Sequence, residues 1–496
     1  MAESENSYKD MAKSSGIIAF VQVFQMLFGL IRNKGIALIV GTSGFGIWSL
    51  YHTFIEMLST FSVFGLDQGG VREIARSSGD QEAMGKCMYV FRTTILAFSI
   101  FFGIIVLLLS EQISFYLFNT TDYSWGIKFL SITVVFNGLF KGGYAILNGV
   151  RALKYLAKSQ IYAAIAGSVG SVALVYFAGV PSLPYALSIV TIVLAICTTY
   201  YVRKLKIKAI RPGLAEYKSI IKGLLYLGFG FTVAGVVSTV MTLLSRSYLS
   251  SHYSLDAVGI YQASWTISNL YIGVILRAMG IDFMPRLSKV SNDNKKMVDM
   301  INQQIEFGVC LSSIGVTLII IAAPLILSLL YSSDFVGGAT IIRWQVLGVA
   351  LRVIAFPFGY AIMVKAKSVQ YSLCQIFFWT GDFLLLMLFS NMWGFDALGV
   401  NYTVAYIGYL TVTCLATKHN CQFMFAGKTK HIIFTSFLFI AIVWAACHFL
   451  DGMTLYLLTG PIWFIQIIHT YIYLKNSMGI DLINVLKRKK HDEISK

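Results

Sequence analysis

Charge is what this chain most lacks. Only 12% of its 496 residues are Asp, Glu, Lys or Arg, where soluble domains carry roughly 25%. Polar stretches are short, the longest break between apolar runs being about 20 residues, so no sizeable extramembrane catalytic domain fits. Seven prolines and the absence of low-complexity tracts exclude disordered and collagen-like chains. Seven cysteines stand singly at Cys87, Cys197, Cys310, Cys374, Cys414, Cys421 and Cys447, without metal-ligand spacing, and read as small core residues. No HExxH, paired Cys/His spacing or nucleophile elbow occurs. Gly427-Lys428-Thr429 resembles the end of a phosphate loop, but the position of the required first glycine is Gln422. No metal and no cofactor is expected.

What is present is apolar: 57% hydrophobic residues and a mean hydropathy of +0.71. A membrane span takes about 20 apolar residues. The runs predict an all-α integral membrane protein of about fourteen spans, at 14–40, 45–66, 87–109, 125–148, 159–179, 182–202, 223–248, 256–280, 304–331, 338–364, 368–391, 396–417, 430–449 and 453–474.

The formal charge of +16 is explained by where it sits. Alternate breaks hold all the loop Lys and Arg, from Arg72, Arg76 and Lys86 to Lys418, Lys428 and Lys430, while the others (41–44, 110–124, 180–181, 249–255, 332–337, 392–395, 450–452) hold none. Such a bias places both termini and every basic loop in the cytoplasm. It accounts for the charge without nucleic acid, which needs an exposed basic groove. The segment from Gly479 to Lys490 sets Ile480, Ile483 and Leu486 beside a basic cluster, suiting the anionic inner leaflet. Asn119-Thr120-Thr121 fits a glycosylation sequon on an outer loop, a pattern common by chance.

The chain repeats itself. Gly143-Tyr144-Ala145-Ile146-Leu147 recurs as Gly359-Tyr360-Ala361-Ile362-Met363, Gly46-Ile47-Trp48 as Gly259-Ile260-Tyr261, Gly65-Leu66-Asp67 as Gly280-Ile281-Asp282, and Arg32 as Arg246. The offset of 213 to 216 carries span 1 onto span 7, an even step, so the copies share orientation. This is a parallel repeat: two pseudo-symmetric six-helix lobes, 1–222 and 223–417, followed by two further spans and a basic tail in 418–496. Lobes of this kind can rock about a central cavity.

Polar residues at depth are the candidate site. Gln262, Thr266, Asn269, Gly273 and Arg277 fall within an arc of about 80° on span 8, and the offset maps them onto a second stripe, Ser49, Thr53, Glu56 and Thr60, in span 2. Gln22, Gln25 and Arg32 share a face of span 1. Such stripes either line a cavity or join helices by hydrogen bonds. Each ionised group at the bilayer centre costs about 2.5–3.5 kcal/mol, and the deep ones are unbalanced: Arg32, Lys34, Lys141, Arg277, Arg343 and Arg352, with Arg246 near the outer end of span 7, against Glu56 and Asp382. At most two bases can be neutralised pairwise. The rest face a water-filled cavity or an anion, pair between helices, or snorkel. Lys34 and Arg343 are the weakest cavity members, and Arg343 and Arg352, nine residues apart, point opposite ways, so one is structural. Arg92, Lys128 and Glu306 lie near span ends and are expected to snorkel. Glu56 has two readings, a bridge to a neighbouring arginine, which is favoured, or a proton- or sodium-coupling group; Asp382 has the same two. Asp67 and Asp282 are expected to organise turns.

Three stretches carry a family resemblance: Gly65-Leu66-Asp67-Gln68-Gly69-Gly70-Val71-Arg72-Glu73-Ile74-Ala75; Leu147-Asn148-Gly149-Val150-Arg151 with Lys158-Ser159-Gln160; and Gly259-Ile260-Tyr261-Gln262 with Pro285-Arg286-Leu287. The chain resembles, over all fourteen spans, the Wzx-type polysaccharide flippases of the multidrug/oligosaccharidyl-lipid/polysaccharide exporter superfamily. The resemblance implies a carrier in the bacterial inner membrane, not an enzyme, that moves an undecaprenyl-diphosphate-linked O-antigen or capsule repeat unit from the cytoplasmic to the outer leaflet. Its partners would be that glycan lipid, membrane lipids, a proton or sodium as coupling ion, and a polysaccharide polymerase. A cationic cavity would suit the diphosphate, with Arg32, Lys141, Arg246, Arg277 and Arg352 as candidates and Gln25, Thr53, Gln262 and Asn269 for hydroxyls. The alternatives are a multidrug antiporter of the same superfamily, which should carry net acid at depth, a peptidoglycan-precursor flippase, and, from another class, a membrane glycosyltransferase, which would need carboxylates near a leaflet surface.

Overall fold

The computed structural model describes residues 2–77, 79–450 and 452–479, with side chains from Phe20 onward except at 67–68 and 225–231. The lipid-facing tail expected from Ile480 to Lys490 lies outside these residues. Hydrocarbon offers a backbone no hydrogen-bond partner, so spanning segments must satisfy themselves as helices, and among the described residues no strand occurs.

In chain order the helices are α1 (Ala2–Val63), α2 (Leu66–Arg76), α3 (Gln81–Leu108), α4 (Ser110–Phe118), α5 (Ser124–Gly149), α6 (Leu153–Ala178), α7 (Leu183–Lys204), α8 (Leu214–His252), α9 (Leu255–Lys289), α10 (Asn294–Leu330), α11 (Ala339–Val364), α12 (Ser368–Trp393), α13 (Val400–Cys421), α14 (Gly427–Phe449) and α15 (Gly452–Met478). Among the described residues, twelve helical segments are long and apolar enough to cross a membrane. One of these, Phe20–Val63, runs 44 residues and breaks at Gly41 (φ 67°, ψ −168°), a left-handed φ that glycine adopts without strain. It therefore supplies two spans. Helix α8, 39 residues long, runs over the span expected at 223–248.

Two expected breaks contain helices. Leu66–Arg76 and Ser110–Phe118 form α2 and α4, too polar or too short to read as spans. Basic-side ends also run past the apolar limits: α8 starts at 214 rather than 223, α9 continues to 289, and α10 begins at 294. Asp282 consequently lies inside α9 and pairs with Arg286 at 2.9 Å instead of organising a turn. Asp67 has no described side chain.

The duplication is written in the backbone. Helices α5 and α6 map onto α11 and α12 with both ends shifted by the same 215 residues. The turn between α5 and α6 bonds Ala152 N–H to Leu147 O and Arg151 N–H to Asn148 O, and its equivalent bonds Lys367 N–H to Ile362 O and Ala366 N–H to Met363 O. Arg151 and Ala366 take the same left-handed φ, 56° and 57°. Both α6 and α12 end on a glycine, Gly179 and Gly394, with φ of 63° and 74°.

Packing separates the chain into two compact units, Met1–Gln262 with Ser328–Phe335, and Ala263–Leu327 with Val336–Lys496. Helix α8 and the first turns of α9 thus pack with α1–α7, although the repeat assigns them to its second copy. In the first unit α5 packs on α7 and α3, and α1 on α6 and α8; in the second α11 packs on α13 and α14 on α15.

Candidate functional site

In the first unit the polar centre is Arg246 on α8, 5% exposed. Its Nε and Nη2 donate to Gln262 Oε1 on α9 at 3.0 and 2.6 Å. Nε also reaches Ser49 Oγ at 3.1 Å, and Nη1 reaches Thr242 O at 3.2 Å. Ser49 in turn donates to Gln262 Oε1 at 3.0 Å. Every one of these partners is neutral. A buried guanidinium whose hydrogen bonds all go to neutral acceptors has no ion-pair partner in contact with it, which favours attracting an anion.

Arg32 stands near this cluster. Its guanidinium lies 5.3 Å over the Trp48 ring, next in sequence to Ser49, and its Nε is buried without a hydrogen-bond partner. Thr53 is buried but donates to Ser49 O of its own helix at 2.8 Å. Gln25 is half-buried on α1. Glu56 is exposed, and the ion-pair partner it finds is His52, at 3.7 Å, rather than the arginine expected for it. Lys141 is half-buried on α5, its Nζ 5.9 Å from the neighbouring Phe140 ring.

In the second unit Arg352 on α11 donates from Nη1 to Asn269 Oδ1 at 3.0 Å. Tyr402 donates to the same oxygen at 3.2 Å, while Asn269 Nδ2 is held by Trp265 O at 3.1 Å. Tyr402, Tyr406 and Tyr409 are buried in one cluster with Phe378. Their spacing of four and three residues puts them on one face of α13, a stripe the sequence reading passed over. Gln375 Nε2 donates to the hydroxyls of Tyr371 and Tyr409, both at 3.0 Å. Asp382 is buried, and Asn401 Nδ2 donates to its Oδ1 at 2.7 Å. Arg277 is exposed and turns back to Gly273 O of its own helix at 2.9 Å. Each unit thus brings a basic residue together with the amide of the polar stripe, Arg246 with Gln262 and Arg352 with Asn269.

Three further charges have structural roles. Pro324 has no N–H, so the carbonyl of Ile320 four residues earlier loses its helical donor. Arg343 Nε donates to that oxygen at 3.3 Å, and Nη1 to Cys447 O in the last turn of α14 at 3.1 Å. Lys34 Nζ donates to Leu329 O at the end of α10 at 2.7 Å. Glu306 does not snorkel: it is buried on α10 and accepts from Thr429 Oγ1 at 2.6 Å. Thr429 of the phosphate-loop-like triplet is therefore committed to fastening α14. Lys128 is partly exposed, 3.8 Å from Glu111, and Arg92 is half-buried.

Fold and side chains define a multi-pass α-helical membrane protein whose spans bury basic groups against neutral partners. The chain belongs to the polysaccharide biosynthesis protein family, whose model matches residues 36–338. It is similar to the lipid III flippase of Escherichia coli strain K12, at 23% identity over 418 residues, covering 82% of this chain and 97% of the relative. It is also similar to a Shigella flexneri protein named "Putative O-antigen transporter", at 26% identity over 340 residues, covering 67% of this chain and 78% of that one. Among solved structures, the lipid II flippase MurJ in an inward closed conformation shares the fold with a TM-score of 0.74 at 16% identity, over 92% of this chain and 99% of that one.

Proposed function

We propose that this chain is a flippase that carries an undecaprenyl-diphosphate-linked O-antigen or capsule repeat unit across the bacterial inner membrane, from the cytoplasmic to the outer leaflet, with both termini in the cytoplasm. One observation carries the substrate class: Arg246, buried in a span, has only neutral hydrogen-bond partners among the described residues. A diphosphate offers the charge and the paired oxygens that a guanidinium binds through two parallel N–H bonds. Arg352 would supply a second cation, with Arg32, Lys141 and Arg277 as further members, and Gln25, Thr53, Gln262 and Asn269 would meet glycan hydroxyls. The names of the two relatives, "Lipid III flippase" and "Putative O-antigen transporter", fit that reading.

Six-helix lobes 1–222 and 223–417 would rock to alternate access. Asp382, with Glu56 as the other candidate, would couple the motion to a proton or sodium gradient. The test is leaflet translocation in proteoliposomes loaded with an undecaprenyl-diphosphate oligosaccharide, scored by glycan accessibility to an impermeant reagent. Protein-dependent flipping that falls in Arg246→Ala and Arg352→Ala is the expected result. The MurJ-like fold favours a second reading, a peptidoglycan-precursor flippase, and a lipid II analogue in the same assay decides between glycans. Extrusion of a cationic dye without flipping would assign the chain to the drug-antiporter branch.

A further inference from the structure

Gly46 and Gly259 are equivalent positions of the two copies, 213 residues apart, and their backbones touch. A methyl group on Gly46 would lie 2.0 Å from Leu255 O and 3.2 Å from Gly259 N; one on Gly259 would lie 2.1 Å from Thr42 O and 3.1 Å from Gly46 N. Leu255 is itself the equivalent of Thr42, so the contact is reciprocal, each copy presenting to the other what it receives. No side chain can stand between the two strands of this crossing.

Polar rungs flank it on both sides. Towards the loop end, Thr42 Oγ1 donates to the Asp256 carboxylate. Towards the membrane centre, Ser49 donates to its equivalent, Gln262, at 3.0 Å. The rungs at 42, 46 and 49 on α1 and at 256, 259 and 262 on α9 follow one helix face. Phe45, next to the crossing, is sealed by Tyr331 and Phe335 with ring centroids 5.3 and 5.8 Å away. The deepest rung is the one that holds Arg246, whose Nη2 reaches Gln262 Oε1 at 2.6 Å.

We propose that Gln262 is a positioning residue that latches this crossing shut through Arg246, and that a phosphate anion opens it by taking the guanidinium away. The inference rests on the flippase reading for the identity of the anion. An amide oxygen and a hydroxyl are weaker acceptors for Arg than a phosphate, which binds it with two charge-assisted bonds. Anion binding therefore favours the state in which the Arg246–Gln262–Ser49 rung is broken, and a ligand that prefers one state shifts the population towards it. Once the rung is lost, the glycine contact has no interdigitated side chains to restrain separation. Backbones in van der Waals contact leave no passage for a diphosphate-linked sugar, so this crossing must part for the head group to leave by this end, the outer end under the charge-bias topology.

The test uses full-length Ser43→Cys protein in nanodiscs, reacted with a bulky polar maleimide, with the wild type as the blank for native thiols. Undecaprenyl diphosphate should accelerate labelling severalfold. Gln262→Ala should give fast labelling without it. Gln262→Glu, which turns the latch into an ion pair, should label more slowly than the parent and respond less to the lipid. Gly46→Val and Gly259→Val should label fast whatever is added, with monodispersity on size exclusion confirming that they fold. Equal labelling of the Ala and Glu variants at position 262 would overturn the latch. Labelling that follows this order while wild-type protein flips no undecaprenyl-diphosphate glycan would leave the latch standing and overturn the substrate reading instead.

Discussion

Arg343 separates structural from transporting arginines, because its proposed job can be measured by adding back what it replaces. Its two hydrogen bonds go to Ile320 O, orphaned by Pro324, and to Cys447 O, in the last turn of α14. Charged hydrogen bonds contribute about 1.5–3 kcal/mol each. The lengths here, 3.3 and 3.1 Å, argue for the lower end, so Arg343→Met should cost about 3 kcal/mol. Pro324→Ala returns an N–H to Ile320 O, and in that background Arg343→Met should cost only about half as much, leaving a coupling of about 1.5 kcal/mol in the double-mutant cycle. The assay is SDS-driven unfolding in mixed micelles on the four proteins. Additive costs would refute the account of Pro324. A fully stable Arg343→Met that no longer transports would place Arg343 in the substrate path and refute the structural assignment altogether.

Arg352→Lys keeps charge but loses the planar fork, and losing one such bond should lower transport roughly tenfold, the equivalent of about 1.4 kcal/mol; unchanged flipping rates would remove Arg352 from the site. Asp382→Asn retains an oxygen for Asn401, so the fold should hold while gradient dependence disappears. If it and Glu56→Gln both kept gradient-driven transport, the coupling proposal would be wrong. Glu306→Ala strands the Thr429 hydroxyl at a cost of about 1–3 kcal/mol, whereas Glu306→Gln, which keeps the acceptor, should be mild; SDS unfolding reads both. Asp293, just before α10, accepts from Lys296 N–H at 3.1 Å and pairs with its Nζ at 3.1 Å, which holds its carboxyl below the ordinary value. A lowered folded pKa means its contribution is present above the unfolded carboxylate pKa and lost as pH falls through the folded one. Amide exchange at 294–297 should therefore speed up on acidification in the wild type and much less in Asp293→Asn.

Continuous apolar runs made the spans legible, because lipid forces each into one helix. The break expected at 41–44 falls at Gly41, but α2 and α4 were not legible, since short interfacial helices are stabilised by neighbours rather than by their own hydropathy. Side-chain partners were legible only in outline. The period of span 8 put Gln262, Asn269 and Arg277 on one face, but two of them meet arginines of other helices and the third folds back on Gly273. Such outcomes depend on the rotation and depth of the facing helix, which a single helix's period does not contain. Glu306 was misjudged for a related reason: α10 begins ten residues before its apolar stretch, so an acid near the apparent end of a span lies well inside the helix, against Thr429.

What the two copies share and what they do not divides the molecule by role. The turns at 147–152 and 362–367 and the pair Gly46/Gly259 obey the repeat, and all are backbone features. Two substrate-facing candidates, Arg352 and Asn269, break it, whereas Arg32 and Arg246 keep it. The equivalent of Arg352 is Asn137, and that of Asn269 is Glu56, so the pair that joins α11 to α9 in one copy has no counterpart in the other. A glycan lipid has no two-fold symmetry, and a site for it gains nothing from matched halves, whereas a crossing that must open and close does. Substitutions at the repeat-obeying backbone positions, the turns and the pair Gly46/Gly259, should therefore change the rate of the conformational step and leave apparent substrate affinity alone. Substitutions at Arg352 or Asn269 should weaken substrate affinity first. Flipping rates measured against substrate density in proteoliposomes separate the two, and an affinity change for Gly46→Ala matching that of Arg352→Lys would refute the division.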